Sequence, residues 1–321
     1  MSIQSYPPNP VWVTGGCLIG PASSDSLVAP IHAIDPTSVL GVERVRRLDP
    51  LSQYALVAVE LACQNAGIVR QPGPKYSPRE GVIVGTALGA TVTSVRYAKR
   101  LVKSGPALTN PIDFPDSIDG APAAHIALDR GLCGPSITFC DGESSTVSAL
   151  VYAARLIESG RVDRMIVVAG DYLDDLFVKA LAQQAASTGR RYGQAVLALV
   201  LERDGFFSRT DHATQIFGFS PKYHSPQYQR TPRSEYPGET VEPPVPRLMS
   251  LSGVLSVASA WWQATRRNAP RLGSWQPDGC ENVWIDATKR AWFIDAPSPP
   301  YLSFLEFAPQ ISDTSSCQSY Y

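Results

Sequence analysis

Along the first two-thirds of the chain, hydrophobic positions fall into two alternating textures. The short runs "PVWVTG", "GVIVGT", "SITF", "DRMIVVAGD" and "AVLALVLE" are rich in β-branched residues. They are the pattern of strands buried on both faces. Between them, apolar residues recur at helical spacing. "LDPLSQYALVAVELACQNAGI" opens with Asp49 as N-cap and Pro50 at the first helical position, and it stops at Gly67. A second helix is expected from Ser144 to Ser159, packing Val147, Leu150, Val151, Ala154 and Leu156 and ending at Gly160. The alternation predicts an α/β protein in which helices cover a central sheet.

After Asp204 the texture changes. Residues 221–248 are rich in Pro and polar side chains, which predicts an extended loop rather than a strand or a long helix. A helix is expected from Leu251 to Arg267, anchored by Trp261 and Trp262, followed by the short apolar runs "ENVWID" and "YLSFLEF". The tail "ISDTSSCQSYY" reads as weakly ordered.

A length of 321 residues with 44% hydrophobic content suits one large domain or two tightly joined ones. Lys and Arg total 28 against 29 for Asp and Glu, so no global field draws in nucleic acid or an anionic membrane. The six cysteines (Cys17, Cys63, Cys133, Cys140, Cys280, Cys317) form no CxxC or CxxH pair, and they read as reduced core thiols of a cytoplasmic protein. The start "MSIQSYPPNP" has no signal-peptide character, and no apolar run approaches the roughly 18 residues of a membrane span. His32, His125, His212 and His224 lack ligand spacing, so no metal site and no cofactor is expected.

Three stretches carry candidate chemistry. "VTGGCLIG" and "GTALGA" are glycine-rich but have neither GxGxxG nor GxxxxGK[ST] spacing, so they are expected to be tight strand-to-helix turns rather than phosphate cradles. In "DGESST", Ser144 sits where the nucleophile of a strand-turn-helix elbow would be, but Thr146 replaces the final glycine. A serine hydrolase reading would need His212, beside Asp211, or His224 as its base.

The run from "GVIVGTALGA" through "GLCGPSITFCDGESSTVSALVYAARLIESGRVDRMIVVAGDY", with the preceding "RLDPLSQYAL…ACQNAGI" helix, resembles the N-terminal half of a β-ketoacyl-acyl-carrier-protein synthase of the thiolase superfamily. The resemblance runs from about residue 10 to residue 204 in order and spacing. It implies a thiolase-like layered α-β-α-β-α fold with an N-terminal half over residues 1–205, a shortened C-terminal half over 206–310 and a flexible tail over 311–321. In that family a reactive cysteine opens the helix after the "SITF" strand, where the helix N-terminus lowers its pKa and backbone N–H groups hold an oxyanion. Counting from Gly134-Pro135, that position here is Glu143. "RLMSLSGVLSVASA" resembles the family's lysine-to-histidine segment, with Met249 at the lysine position and Val254 at the histidine position. The HGT-type segment with the other histidine is missing.

A carboxylate at Glu143 cannot form a thioester, and without the histidines a carbanion has no partner. The resemblance therefore implies a degenerate ketosynthase of the chain-length-factor type. Such a subunit pairs with an active ketosynthase of a type II polyketide synthase and shapes the acyl tunnel, while the acyl carrier protein visits mainly the partner. Chain-length factors mostly carry Gln at the lost cysteine, and this chain has Glu. In the family the segment "NPIDFPDSIDGAPAAH" crosses the dimer interface, so Ile112, Phe114, Ile118, Asp119 and Gly120 are the expected tunnel and interface residues. Small residues at Gly120 and Ala121 would leave room for a chain, with Phe114 as a stop. A second reading has Glu143 orienting a malonyl thioester for decarboxylation, to prime the partner.

Overall fold

The computed structural model describes residues 10–22, 26–70, 76–189, 191–206 and 213–218, followed by the shorter pieces 239–240, 248–249, 254–255, 257–258, 261, 271–272, 283–285, 291–298 and 301–309. In chain order the elements that place the site are β1 (Val11–Ile19), α1 (Pro50–Asn65), β2 (Glu80–Gly85), α2 (Thr91–Ser104), α3 (Ala121–Arg130), β3 (Ser136–Phe139), α4 (Ser145–Glu158), β4 (Arg164–Gly170), α5 (Asp175–Thr188) and β5 (Val196–Arg203). They are followed by β6 (Thr214–Gly218), β7 (Ala291–Ser298) and β8 (Tyr301–Pro309).

The sheet runs β3-β2-β4-β5-β1 and continues through β6, β8 and β7 to the short strands Val283–Ile285 and Glu239–Thr240. β2 is parallel to both β3 and β4, whereas β5 runs antiparallel to β4 and to β1. The parallel pairs need helical crossovers, which α2 with α3 and then α4 supply. β2, β4 and β5 are apolar on both faces because both are covered. Val82, Val84, Ile166, Val168, Ala198 and Val200 pack with α1 and α3 on one side. Ile83, Val167, Leu199 and Leu201 pack with α4 and with Val254, Leu255, Val257, Ala258 and Trp261 on the other. Burying each large aliphatic side chain contributes about 1.5–3 kcal/mol, so the α4 face with Val147, Leu150 and Ile157 is a main source of stability.

The helix ends follow local chemistry. Asp49 is buried and accepts from Leu51 N at 2.9 Å as the N-cap of α1, with Pro50 next. The same carboxylate accepts from Thr93 Oγ1 at 2.7 Å, so one residue fixes the start of α1 and the first turn of α2 together. Burial raises the Asp49 pKa, against the pull of these hydrogen bonds. α4 runs from Ser145 to Glu158, with Gly160 beyond it at φ +70°.

Several expectations need correction. "VTGGCLIG" is not a turn: Gly15 and Gly16 lie inside β1, where an irregularity in pairing to β5 falls between Val13 and Gly15. A Cβ on Gly15 would stand 2.5 Å from the Ala62 carbonyl oxygen, and one on Gly16 2.3 Å from the Trp261 ring, so these glycines let α1 and an indole approach the strand. Cys17 and Cys63 are buried thiols as expected, but Cys133 and Cys140 are exposed. Within 221–248, Glu239–Thr240 is a short strand and Leu248 opens another, because both find sheet partners. Val283–Ile285 within "ENVWID" and the whole of "YLSFLEF" are strands, and residues 254, 255, 257, 258 and 261 are helical. Cys280, Cys317 and the 311–321 tail lie outside the described residues.

Candidate functional site

The turn after β3 is placed by the strand ends around it. Gly85, the last residue of β2, packs so closely on the start of α4 that a Cβ there would lie 2.4 Å from the Ser145 carbonyl oxygen. Ser145 is fully buried; its Oγ accepts from Asp141 N at 2.8 Å and lies 2.9 Å from the Thr86 carbonyl and 2.7 Å from that of Gly142. This hydroxyl ties the turn to the β2 end. Residues Gly142–Ser144 form a single 3-10 turn ahead of α4, with Gly142 at φ +63°. Glu143 is exposed at the head of the helix, where the dipole favours a negative side chain by about 0.3–1 kcal/mol. Ser144 is half-buried beside it and makes no side-chain cap bond to α4. His212 and His224, the bases that a Ser144 nucleophile would need, lie outside the described residues.

Three carboxylates surround the turn with Glu143. The Cys140 thiol is held by the Asp119 side chain, and its pKa is pushed up to about 11, first by desolvation and then by the charges of Asp119, Asp171 and Asp141. Asp119 also lies against Gly89: a Cβ on that residue, whose φ is +55°, would be 2.2 Å from Asp119 Oδ1. The loop after β2 therefore leaves room for a carboxylate by having glycine there. Asp171, at the end of β4, accepts through Oδ1 from Thr86 Oγ1 (2.8 Å), Ala87 N (2.8 Å) and Leu88 N (2.9 Å). It holds "GTALGA" as a turn, as expected for that stretch.

Met249 and Val254 come to one neighbourhood. Leu248–Met249 pairs in parallel with Arg191–Gly193, with Met249 opposite Tyr192. Val254 is buried and lines a cavity of about 10 Å³ with Asp171, Leu173, Tyr192, Gly193, Gln194 and Ala195. That is room for about one water molecule. Glu143 and Ser144 do not line it. Leu173 N donates to Gln194 Oε1 at 3.0 Å, which fixes the wall on that side.

The segment ahead of α3 folds as successive 3-10 turns, Pro106–Leu108, Pro111–Asp113 and Pro115–Ser117, each started by a proline. Ile112 lies in the middle turn. Phe114 is 56% exposed and meets the Tyr97 ring of α2 at 5.8 Å, and Ile118 is 51% exposed. A Cβ on Gly120 would meet nothing within 4 Å. Among the residues expected here, Asp119 reaches the Glu143 turn, through Cys140. His125 Nε2 lies 2.7 Å from Asp116 Oδ1, in hydrogen-bond contact across the start of α3. Among the described residues no group of three His, Cys, Asp or Glu side chains could hold a metal ion. No described helix is long and apolar enough to cross a membrane.

Sequence reasoning missed Asp171 and the Asp119–Cys140 contact. Asp171 follows a glycine at a strand end in "VVAGDY", a visible signal, but its three donors come from residues 86–88, far away in the chain.

Comparison with known proteins agrees with this geometry. The family model for the β-ketoacyl synthase N-terminal domain matches residues 22–206. 3-Oxoacyl-[acyl-carrier-protein] synthase 2 of Coxiella burnetii is 25% identical over 140 residues, 44% of this chain and 33% of the relative. The chloroplastic synthase I of Arabidopsis thaliana is 29% identical over 122 residues, 38% of this chain and 26% of its own length. The matched stretch thus spans about a third or less of these curated relatives. Among solved structures, a β-ketoacyl synthase from Burkholderia phymatum superposes with TM-score 0.68 at 16% identity, covering 94% of this chain and 100% of that one. The type II polyketide synthase complex AntDE:AntF, a ketosynthase with its acyl-carrier protein, gives TM-score 0.62 at 15% identity over 94% and 99%. The ishigamide ketosynthase/chain length factor gives 0.52 at 18% identity over 64% and 65%. The fold is thiolase-like, as in these ketosynthase-type neighbours, and the chain belongs to the β-ketoacyl synthase family.

Proposed function

We propose that this chain is a non-catalytic subunit of the chain-length-factor type. It pairs with an active ketosynthase of a type II polyketide synthase and shapes the space for the growing acyl chain. What carries the reading is the chemistry at the positions that the family resemblance assigns: an exposed carboxylate, Glu143, at the nucleophile position, and at the histidine position Val254, buried in a wall with room for about one water. Glu143 cannot form a thioester, and Val254 has no polar group to hold a carbanion or an oxyanion.

Two features support pairing. β3 is the edge of the sheet, and its residues are only partly buried although the strand is apolar. Phe139, at its end, packs edge-on against the half-exposed Tyr152 at 5.7 Å. An apolar edge strand with open backbone groups calls for a cover, and a ketosynthase partner supplies one. Phe114 and Ile118 add exposed apolar surface on the segment that the family resemblance assigns to the interface.

Malonyl decarboxylation is the weaker reading. A malonyl thioester brings its own carboxylate, and the turn already carries Asp119, Asp141 and Asp171 within electrostatic reach of Cys140, with Glu143 next in the chain. Like charges there oppose binding of another anion.

The test is co-expression with the ketosynthase encoded beside this chain, purification through a tag on one partner only, and native mass determination. A stable one-to-one heterodimer is expected. A homodimer or monomer that ignores the ketosynthase would overturn the reading. If the heterodimer forms, Glu143→Ala should leave carbon dioxide release from malonyl-carrier protein unchanged, and a loss of release would restore the decarboxylase reading.

A further inference from the structure

A second cavity, of about 560 Å³, opens at the ends of β2 and β4 that lie away from the Glu143 turn. It is bordered by the end of α1, the end of α3 and the first residues of the two strands, Glu80 and Arg164. The strand from Glu80 to Gly85 is about 17 Å long, so this cavity and the turn are a strand length apart. Its volume falls within the roughly 300–1,000 Å³ of small-molecule sites.

Two kinds of surface meet there. Cys63 and Ile166, both buried, give it an apolar floor, and the largely exposed Val69, Tyr76 and Leu128 give it an apolar rim. Its charged lining is Arg70, Arg130 and Arg164 with Glu80 and Asp129. Each carboxylate that meets these arginines already has a donor on both oxygens. Asp129 accepts from Arg44 Nε and Nη2 at 2.8 and 2.7 Å. Glu60 accepts from Arg44 and Arg130 on one oxygen and from Gln64 on the other. Glu80 accepts from Ser77 Oγ and Arg164 Nη1, and Glu202 from Arg164 Nε and Thr14 Oγ1.

The guanidiniums are not filled in the same way. Arg130 has only 6% of its side chain exposed and donates to Glu60 through Nη2 at 2.9 Å, but its Nε is buried without a hydrogen-bond partner, 3.7 Å from Asp129 Oδ2. Arg70 reaches the Asp129 backbone carbonyl at 3.2 Å and stays 3.6 Å from its carboxylate. The lining is therefore short of acceptors and not of donors. An anion beside Arg70 and Arg130 supplies what the engaged carboxylates cannot, and the apolar floor and rim suit a hydrocarbon body attached to it.

We propose that this cavity binds a small amphiphilic carboxylate, with its head at Arg70 and Arg130 and its apolar body along Cys63, Ile166 and Leu128. Neither Glu143 nor the Phe114 segment lines it, so the site is separate from the degenerate turn and from the residues assigned to the tunnel.

Cys133 is exposed and lines the same cavity, which makes it a reporter. The full chain is alkylated with iodoacetamide at rising octanoate concentration, and Cys133 and Cys140 are followed separately by peptide mass. The rate at Cys133 should fall with the fraction of empty cavity, about tenfold when octanoate stands at ten times its Kd, while Cys140 keeps its rate. Octan-1-ol, which lacks the charge, and inorganic phosphate, which lacks the apolar body, should each need at least about ten times the concentration for the same protection. Arg70→Ala and Leu128→Asp, both at exposed positions, should each raise the octanoate Kd about tenfold. No slowing at Cys133, equal slowing at Cys140, protection by octan-1-ol or phosphate as good as by octanoate, or a Kd unchanged in both variants would overturn the proposal. So would a Cys133 that fails to react without octanoate, because the mouth of the cavity would then be closed. None of these outcomes bears on pairing with a ketosynthase.

Discussion

The Thr86 hydroxyl donates to Asp171 Oδ1 over 2.8 Å, and this bond joins the ends of β2 and β4 beside the Glu143 turn. The Thr86 carbonyl in turn faces Ser145 Oγ at 2.9 Å, so the loop after β2, the end of β4 and the start of α4 are held as one unit. The backbone N–H groups of Ala87 and Leu88 share the same carboxylate oxygen.

Removing that acceptor should therefore be costly. Asp171→Ala leaves two backbone donors and a buried hydroxyl without it, and the expected loss is about 2–4 kcal/mol. Asp171→Asn, which keeps an acceptor oxygen, should lose less than half as much. Urea denaturation of the full chain compares the two, and equal losses would show that charge rather than acceptance matters.

Cys140 should behave as a thiol through neutral pH. With its pKa at about 11 against an ordinary 9.0, the thiolate is scarce at pH 8 and grows only as pH rises toward 11. Alkylation by iodoacetamide, followed by peptide mass, should be slower at Cys140 than for a free cysteine. Asp119→Asn removes one of the charges that hold the proton, so it should lower the pKa and speed the reaction at pH 8. A rate unchanged by Asp119→Asn would remove Asp119 from the causes of the shift and leave desolvation with the charges of Asp171 and Asp141.

The turn segment gives opposite expectations at two positions. Phe114→Ala opens space and should lengthen the products of the reconstituted pair, whereas Gly120→Leu, which has room for its Cβ, should shorten them. Product mass distributions decide this. If both variants leave length unchanged, the segment is interface packing and not a tunnel wall.

Gly16→Ala tests the close approach in β1. The added methyl would sit 2.3 Å from the Trp261 ring, so the indole or the strand must shift, at a cost of about 1–3 kcal/mol. Gly142→Ala offers a comparison: nothing lies within 4 Å of a Cβ there, and only the φ of +63° opposes it, at about 1–2 kcal/mol. Thermal denaturation should rank Gly16→Ala as the more damaging change.

The sequence by itself determined the elements of the first half, because their signals are local. A strand buried on both faces needs apolar residues at every position, as in "AVLALVLE", and Asp49-Pro50 places a helix start through hydrogen bonds and a fixed φ within three residues. It also determined that Glu143 heads a helix, since "SITF" and the apolar spacing of α4 bracket it. Only the tertiary structure decided what surrounds that residue. Asp141 and Asp171 reach one thiol because the parallel order β3-β2-β4 brings their strand ends together, and Asp119 joins them from the segment ahead of α3, against Gly89; no local pattern encodes which of these will be neighbours. The same holds for Gly15 and Gly16: a glycine pair reads as a turn until α1 and Trp261 are seen to occupy the space that its missing side chains leave.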